Sequence, residues 1–568
     1  MNDMTLPAVL ARSAERHPDR PSLFYYDGEP MTYRALKERV DRIAAFLAER
    51  GIVHGDRVAI VAENGPHWGV AYFAIVSLGA VAVPVLSDFP ASEVHHVLRH
   101  SESKAVFVSE KQYGKIEDGI FDQLKLTILI DDFSVIDPET NRDRLKKLIA
   151  SGEMELRKIL SKALKFVGRI PSRVREDDLA SIIYTSGTTG HTKGVMLTHR
   201  SVVADAAATM KVVEVNAQDC MLSLLPLAHV YECTLGLVAP VMQSAAVAYI
   251  RKPPTAAVLI PALKAVRPTI VLSVPLIIEK MVRLKVWPEI QSKSLTRWAY
   301  KIPSLRRKIS QVAGKKLLAV FGGNLKLFCI GGAGLAPDVE SFLREADFPY
   351  AIGYGLTETS PLVSASTVAG TRLRSAGRAL EGVEIRIDAA DPAAGEGEIL
   401  VRGLTVMKGY YKDPAKTAAV LDADGWFRTG DLGCLDADGY LFIKGRLKNV
   451  IIGPSGENIY PEIIESVINR FDPVSESLVY EREGQLTARV FLDGEKMDAL
   501  IAERKYDEAQ IREHIRQTLA DIKRRVNESV AVFSRLSRII EQTEPFEKTA
   551  TQKIKRFLYV DGGPISSN

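Results

Sequence analysis

The chain is poor in cysteine, with only four among its 568 residues, at positions 220, 233, 329 and 434. None forms a CxxC pair, which argues against a disulfide framework or a structural zinc site and fits a reducing, cytosolic setting. Excess charge is also scarce: the net formal charge is +4, which by itself implies no polyanionic partner. Residues 1–20 mix acids and bases and lack an apolar centre, unlike a secretory leader. No internal repeat or low-complexity tract is present. Long uncharged runs are few. Residues 68–86 are nineteen without a charge, but Gly79 and Pro84 divide them. They read as a buried helix and a buried strand of a parallel sheet rather than a bilayer span. Residues 235–250, interrupted by Pro240, read likewise.

Composition is otherwise that of a globular protein, 46% hydrophobic and 25% charged, and the length implies two or more domains. Helical and strand patterns alternate through the first two thirds: helical 33–40, then strands at 57–61 and 105–109. That alternation predicts an α/β fold, with a large N-terminal domain of layered, mostly parallel sheets and helices. From about Gly377 the texture changes to short strands, at 383–387, 397–401 and 440–443, which predict a small β subdomain. Beyond Lys448 a helix at 461–469 and strands near Leu478 and Val490 predict a small α+β domain. The expected organisation is therefore 1–447, with its β subdomain at about 377–447, followed by 448–568.

Charge is unevenly placed. Residues 157–175 hold seven Lys/Arg and no acid, with Ile159, Leu160, Ala163, Leu164 and Val167 on one helical face. Residues 276–316 hold eleven Lys/Arg against Glu279 and Glu289. A basic amphipathic helix of this kind can rest on anionic lipid, attract a phosphorylated ligand, or be a solvated helix with its apolar face docked on the core. No stacking aromatics or nucleic-acid motif accompany them.

The run Tyr184-Thr-Ser-Gly-Thr-Thr-Gly-His-Thr-Lys193 carries two glycines, a serine, four threonines and a lysine directly after Ile182-Ile183. Glycine lets backbone N–H groups approach a ligand, hydroxyls add donors and lysine adds charge, a set suited to a polyphosphate. The P-loop pattern needs Gly, four residues, then Gly-Lys-Ser/Thr, and the position where its second glycine would fall after Gly187 is Thr192. Gly194-Val-Met-Leu-Thr198 reads as a strand, with Ser201 as the cap of a following helix. The loop is thus expected between two strands.

Further clusters stand downstream. Gly353-Tyr-Gly-Leu-Thr-Glu-Thr359 offers a ring to pack on a base (Tyr354), a hydroxyl for phosphate (Thr357) and a carboxylate for Mg²⁺ (Glu358). Gly425-Trp-Phe-Arg-Thr-Gly-Asp-Leu432 presents Asp431, suited to accepting from two ribose hydroxyls or to an ordinary Asx turn. Lys444-Gly-Arg-Leu-Lys-Asn449 is a basic loop, and Lys548-Thr-Ala-Thr-Gln-Lys-Ile-Lys-Arg556 closes the series.

In this order and spacing, these clusters resemble the adenylate-forming superfamily of acyl-CoA synthetases, peptide-synthetase adenylation domains and firefly luciferase. The resemblance runs from about Leu6 to Arg556. It is strongest to long-chain fatty acid–CoA ligases, through Leu225-Pro-Leu-Ala-His-Val-Tyr-Glu232, Val274-Pro-Leu-Ile-Ile-Glu-Lys280 and the ending 549–556. It implies that Thr185, Ser186, Gly187, Thr188, Thr189, Gly190 and Lys193 hold the β- and γ-phosphates of ATP. Gly332, Ala333, Gly334, Tyr354 and Gly355 would line the adenine pocket and acyl tunnel, and Thr357 would contact the α-phosphate. Glu358 would hold Mg²⁺, while Asp431 and Arg446 would hold the ribose. Lys448 would sit at the family's hinge, making 448–568 a small mobile lid, Gly456 would belong to the segment that swings toward the pantetheine channel, and Lys553 matches the family's adenylation lysine. Lys553, Glu358, Thr185 and His229 are the candidates for acting in the chemistry. For His229, orienting the carboxylate or gating the tunnel stands beside a purely structural role. Two positions depart from the pattern: Gln552 where many relatives have glycine, and Gly334 where many have proline.

The activity implied is ATP-dependent formation of acyl-CoA through an acyl-adenylate, with ATP, Mg²⁺ and CoA required. The alternatives are transfer to an acyl carrier protein, a medium-chain or aryl acid, and a non-catalytic binding relative; retention of Glu358 and Lys553 speaks against the last. Partners implied are fatty acid, ATP and CoA, and no nucleic acid. Contact with the inner face of an anionic membrane through 157–175 and 276–316, and a homodimer, are left open.

Overall fold

The computed structural model describes residues 3–116, 124–136, 173–186, 192–389, 395–453, 457–494, 497, 506–548 and 554–560. Among the described residues, two eight-stranded sheets dominate. In one, Val81–Val85, Arg57–Val61, Ala105–Val108 and Leu126–Leu129 run parallel, and Leu179–Ser186 joins alongside Val81–Val85. In the other, the parallel set runs from Leu23–Tyr25 through Ala246–Tyr249, Cys220–Leu222, Ile270–Ser273 and Leu327–Ile330 to Tyr350–Gly355. Strands buried on both faces need covering layers, which explains their near-continuous Val/Ile/Leu content.

The uncharged run resolves as expected, into the helix Pro66–Ser77 and the strand Val81–Val85. That helix is buried along its length between the two sheets. Its core takes in Leu23, Val247 and Tyr249 of one sheet and Val58, Ile60 and Ala82 of the other. Residues 235–250 likewise give helical turns, then the strand Ala246–Tyr249. Pro240 falls in the first turn of Ala239–Met242, where a missing N–H costs nothing. Helices on the outer faces complete an α/β layered body. Among the described residues, no helix is long and apolar enough to cross a membrane.

The β texture after Gly377 forms a four-stranded antiparallel sheet of Val383–Asp388, Gly397–Gly403, Phe427–Leu435 and Leu441–Arg446. Beyond it, the helices Pro461–Ile468 and Glu508–Ser529 pack on the sheet Val474–Arg482, Gln485–Leu492 and Arg538–Gln542. Their core, built around Ile464, Ile468, Val490 and Ile522, draws only on residues beyond 450.

One expectation needs correcting. Ser201 does not cap the helix His199–Val212; Thr198 does, and Ser201 is its reciprocal partner. Thr198 Oγ1 accepts from Ser201 N at 3.0 Å, and Ser201 Oγ accepts from Thr198 N at 3.1 Å. The strand before the helix therefore runs straight into the cap with no spacer. All four cysteines are free thiols.

Candidate active site

Parallel strands of an open α/β sheet present their loops at the C-terminal edge, where ligands of such folds bind. Two neighbouring strands do so here. Leu327–Ile330 leads into Gly331–Leu335, where Gly332 takes φ +84° and Ala333 and Gly334 are exposed. Tyr350–Gly355 leads into the turn Thr357–Thr359. Gly355 has no room for a side chain, because a Cβ there would lie 1.8 Å from the carbonyl oxygen of Pro361.

The Thr/Gly loop does lie between two strands, Leu179–Ser186 and Thr192–Thr198, which pair antiparallel with Thr185 opposite Lys193. Gly187, Thr188, Thr189 and Gly190 fall outside the described residues, as do Gly456, Gln552, Lys553 and most of the basic segment 157–175. At the loop's exit, Lys193 Nζ donates to Tyr410 Oη at 3.2 Å and stands 4.0 Å from Glu358 Oε1. Tyr410 in turn donates to Glu358 Oε1 at 2.9 Å. Burial first, and then the Glu358 charge, push the Tyr410 phenol above its ordinary range, so it stays a donor. Three polar side chains from distant parts of the chain thus share one contact.

Backbone lacing brings Tyr410 there. Met407 N donates to Glu358 O at 2.8 Å, Ser360 Oγ to Thr405 O at 2.7 Å, and Gly409–Tyr410 pairs with Val195 and Met196. From below, the fully buried Asp205 accepts from Leu362 N at 2.8 Å. Burial holds its carboxyl well above the usual range, and the contact anchors the turn that carries Glu358.

A second cluster stands four residues upstream. Tyr354 Oη donates to Asp431 Oδ2 at 2.6 Å, and Arg446 Nε lies 2.8 Å from Asp431 Oδ1. Asp431 and Arg446 face each other across paired strands of the β subdomain. Asp431 is buried, and its backbone N–H donates to Thr429 Oγ1 at 3.0 Å. Burial, then Asp431, raise the Tyr354 phenol well above its usual value. The Asx turn allowed for here is made instead by Asp422, whose Oδ1 accepts from the N–H groups of Asp424 and Trp426. Lys448 lies just past this pair, in the turn Leu447–Asn449.

Against Gly353, one residue before Tyr354, lies an apolar cavity of about 40 Å³. Its walls include Met210, Leu235, Ile270, Leu272, Ala351 and Gly353. His229 is not part of its walls; its Nδ1 accepts from the backbone N–H of Tyr231, whose residue lines the cavity. Glu232, the last residue of the Leu225–Glu232 motif, is buried behind it. Burial pushes its carboxyl up to about 8 against opposing hydrogen bonds from Ser223 and the Leu225 backbone. A Cβ at Gly236, one turn on, would meet the Glu232 carboxyl carbon at 2.6 Å.

Tyr410 and Asp205 escaped the sequence reading. Neither lies in a glycine-rich or charged run that would single it out.

The AMP-binding enzyme family profile matches residues 10–411. The chain belongs to this family. Long-chain-fatty-acid–CoA ligase 1 of Cavia porcellus is 30% identical over 529 residues, 87% of this chain and 73% of that one. A chloroplastic long-chain-fatty-acid–[acyl-carrier-protein] ligase of Arabidopsis thaliana is 28% identical over 551 residues, 84% of this chain and 74% of its own. Among solved structures, the o-succinylbenzoate coenzyme A synthetase of Bacillus subtilis in complex with ATP and magnesium ion superposes with a TM-score of 0.72. It is 22% identical, and the match covers 97% of this chain and 98% of that one, a likeness of fold.

Proposed function

We propose that this AMP-binding family member is an ATP-dependent fatty acid–CoA ligase, converting fatty acid, ATP and CoA to acyl-CoA, AMP and pyrophosphate. The carrying observation is the apolar cavity that ends at Gly353, one residue before the Tyr354–Asp431 contact. It would set an alkyl chain's carboxylate beside a nucleotide held by Tyr354, Asp431 and Arg446.

A carboxylate is a poor electrophile, because its charge repels a thiolate and its oxygen leaves badly. Its oxygen therefore attacks the α-phosphorus, and the bond to pyrophosphate breaks. The mixed anhydride so formed has AMP as leaving group, which the CoA thiolate displaces at the acyl carbon. The first step brings anions together, so positioning and charge neutralisation supply most of the catalysis. Thr185, Ser186 and Lys193 with the loop between them would hold the departing β- and γ-phosphates, Thr357 the α-phosphate, and Lys553 the charge built up during transfer. Among the described residues no cluster of three acidic, His or Cys side chains could cage a metal. That suits Mg²⁺, which is commonly bound by one or two carboxylates plus substrate phosphates. Glu358, buried and already facing Lys193 and Tyr410, is the residue that would hold it. When bound, the ion neutralises phosphate charge. Lys553 has no task in thioester formation, so we assign residues 448–568 as a lid that turns about Lys448 and brings the Gly456 segment toward the thiol.

Incubation with ATP, Mg²⁺, CoA and palmitate should release AMP and pyrophosphate. Absence of AMP with every carboxylate from acetate to C18 would reject the reading. The Arabidopsis relative favours one alternative, an acyl carrier protein as acceptor, and comparing it with free CoA as the thiol separates the two.

A further inference from the structure

The 276–316 excursion leaves the second sheet after Ile270–Ser273 and returns through the helix Pro303–Val320. Its inner side is ordinary core, with Ile278, Val282, Ile290 and Leu317 packed on Val271. Its outer side is not ordinary surface. Of the nineteen large hydrophobic residues exposed among those described, six lie within these forty-one positions. Leu295 is 75% exposed and Trp298 60%, both on the helix Ser294–Ala299, which buries nothing. On the next helix, Leu305 and Val312 are exposed one heptad apart. Helical periodicity places them opposite buried Ser310, Gly314 and Leu317, with Lys308 and Lys315 along one flank.

The charge around these side chains is of one sign. The segment carries a net +9, and its two acids are already engaged. Glu279 accepts from Ala336 N at 2.8 Å, and Glu289 pairs with Lys316. Lys293, Arg297, Lys301, Arg307 and Lys308 make no ion pair among the described residues. Solvated charge alone would need no exposed tryptophan and leucine between the lysines, and leucine adds nothing to a contact with phosphodiesters. A bilayer surface uses both: apolar and aromatic side chains enter the headgroup boundary while Lys and Arg meet anionic lipid.

We propose that this outer face docks on an anionic lipid bilayer, with Leu295 and Trp298 entering the interfacial layer and the unpaired basic residues meeting lipid phosphates. The face lies across the sheet from the cavity, which Ile270 and Leu272 line from the other side, so the assignment is independent of the chemistry proposed above.

The test is co-sedimentation of the full chain with phosphatidylcholine vesicles containing one quarter phosphatidylglycerol, and with vesicles of pure phosphatidylcholine. Binding should require the anionic lipid. K293Q/R297Q/K301Q should weaken it about 100-fold, about fivefold per charge removed. L295S/W298S, which touches no buried position and should melt like the wild type, should weaken it at least tenfold. Wild-type protein that stays in the supernatant, or binding indifferent to L295S/W298S, would overturn the proposal. So would displacement by a DNA duplex together with insensitivity to L295S/W298S, which would mark a general polyanion site. A solution dimer dissolved by W298S would overturn it too, by assigning the face to a second copy of this chain.

Discussion

Asp431 and Arg446 occupy opposed positions on adjacent strands and meet at 2.8 Å, with Tyr354 closing the other carboxylate oxygen at 2.6 Å. Both oxygens of one buried carboxylate are thus taken by groups from two different sheets. D431N keeps the shape but removes the charge that both partners use. Charged hydrogen bonds contribute about 1.5–3 kcal/mol, so KM for ATP should rise roughly tenfold to a hundredfold, measured by AMP release. R446A should cost less, because its side chain is 38% exposed and solvent screens the pair.

Tyr410 is the second test. Y410F leaves Glu358 and Lys193 without their shared partner. The expected loss is about 1–3 kcal/mol, appearing in kcat for adenylation. Thioester formation from preformed acyl-adenylate should be spared. Equal loss in both half-reactions would reject this placement.

Lys553 bears on the division of labour between the half-reactions. K553A should abolish adenylation while leaving transfer from preformed acyl-adenylate to CoA largely intact. Stopped single-turnover assays of each step decide it.

The cavity makes a prediction about chain length. L235W places a large ring in the cavity wall. Each excluded methylene is worth about 1–3 kcal/mol, so kcat/KM for palmitate should fall at least tenfold relative to octanoate. Parallel loss for both acids would place the alkyl chain elsewhere.

These contacts divide by how far they could be read from residues alone. The Thr/Gly loop, the Gly353–Thr359 turn and Asp431 were legible because each is a local composition, and a turn or a phosphate cradle imposes its needs on neighbours in sequence. The strand–helix split at Gly79 was legible for the same reason. Tyr410 was not, since its place beside Glu358 depends on Gly409–Tyr410 pairing with a strand more than two hundred residues earlier. Asp205 sits within an otherwise small-residue helix and gains its meaning only from Leu362 N. The cavity had no local signature, being ordinary core residues from three helical segments and several strands. Ser201 was misread by one turn: both it and Thr198 can cap, and only backbone geometry shows which does.

Glu232 predicts a pH dependence of stability. Its carboxyl is raised from 4.5 to about 8 by burial, so the folded state holds a proton that the unfolded state releases near 4.5. Stability from this group is therefore full below about pH 4.5 and declines as pH rises toward 8. E232Q removes the titration. Urea melts at pH 5.5 and 8.5 should show a larger drop for the wild type than for E232Q, by several kcal/mol at 1.36 kcal/mol per pH unit.

The strand Tyr350–Gly355 carries Tyr354, bound to Asp431, and the turn straight after it carries Glu358, bound to Tyr410. Four residues can span at most about 14 Å. The distance between the two anchoring points is therefore fixed by covalent chain length, whatever the surrounding sheets do. A single inserted residue here would change that spacing while leaving every side chain of both clusters in place. The segment works as a tether whose reach is set by its residue count.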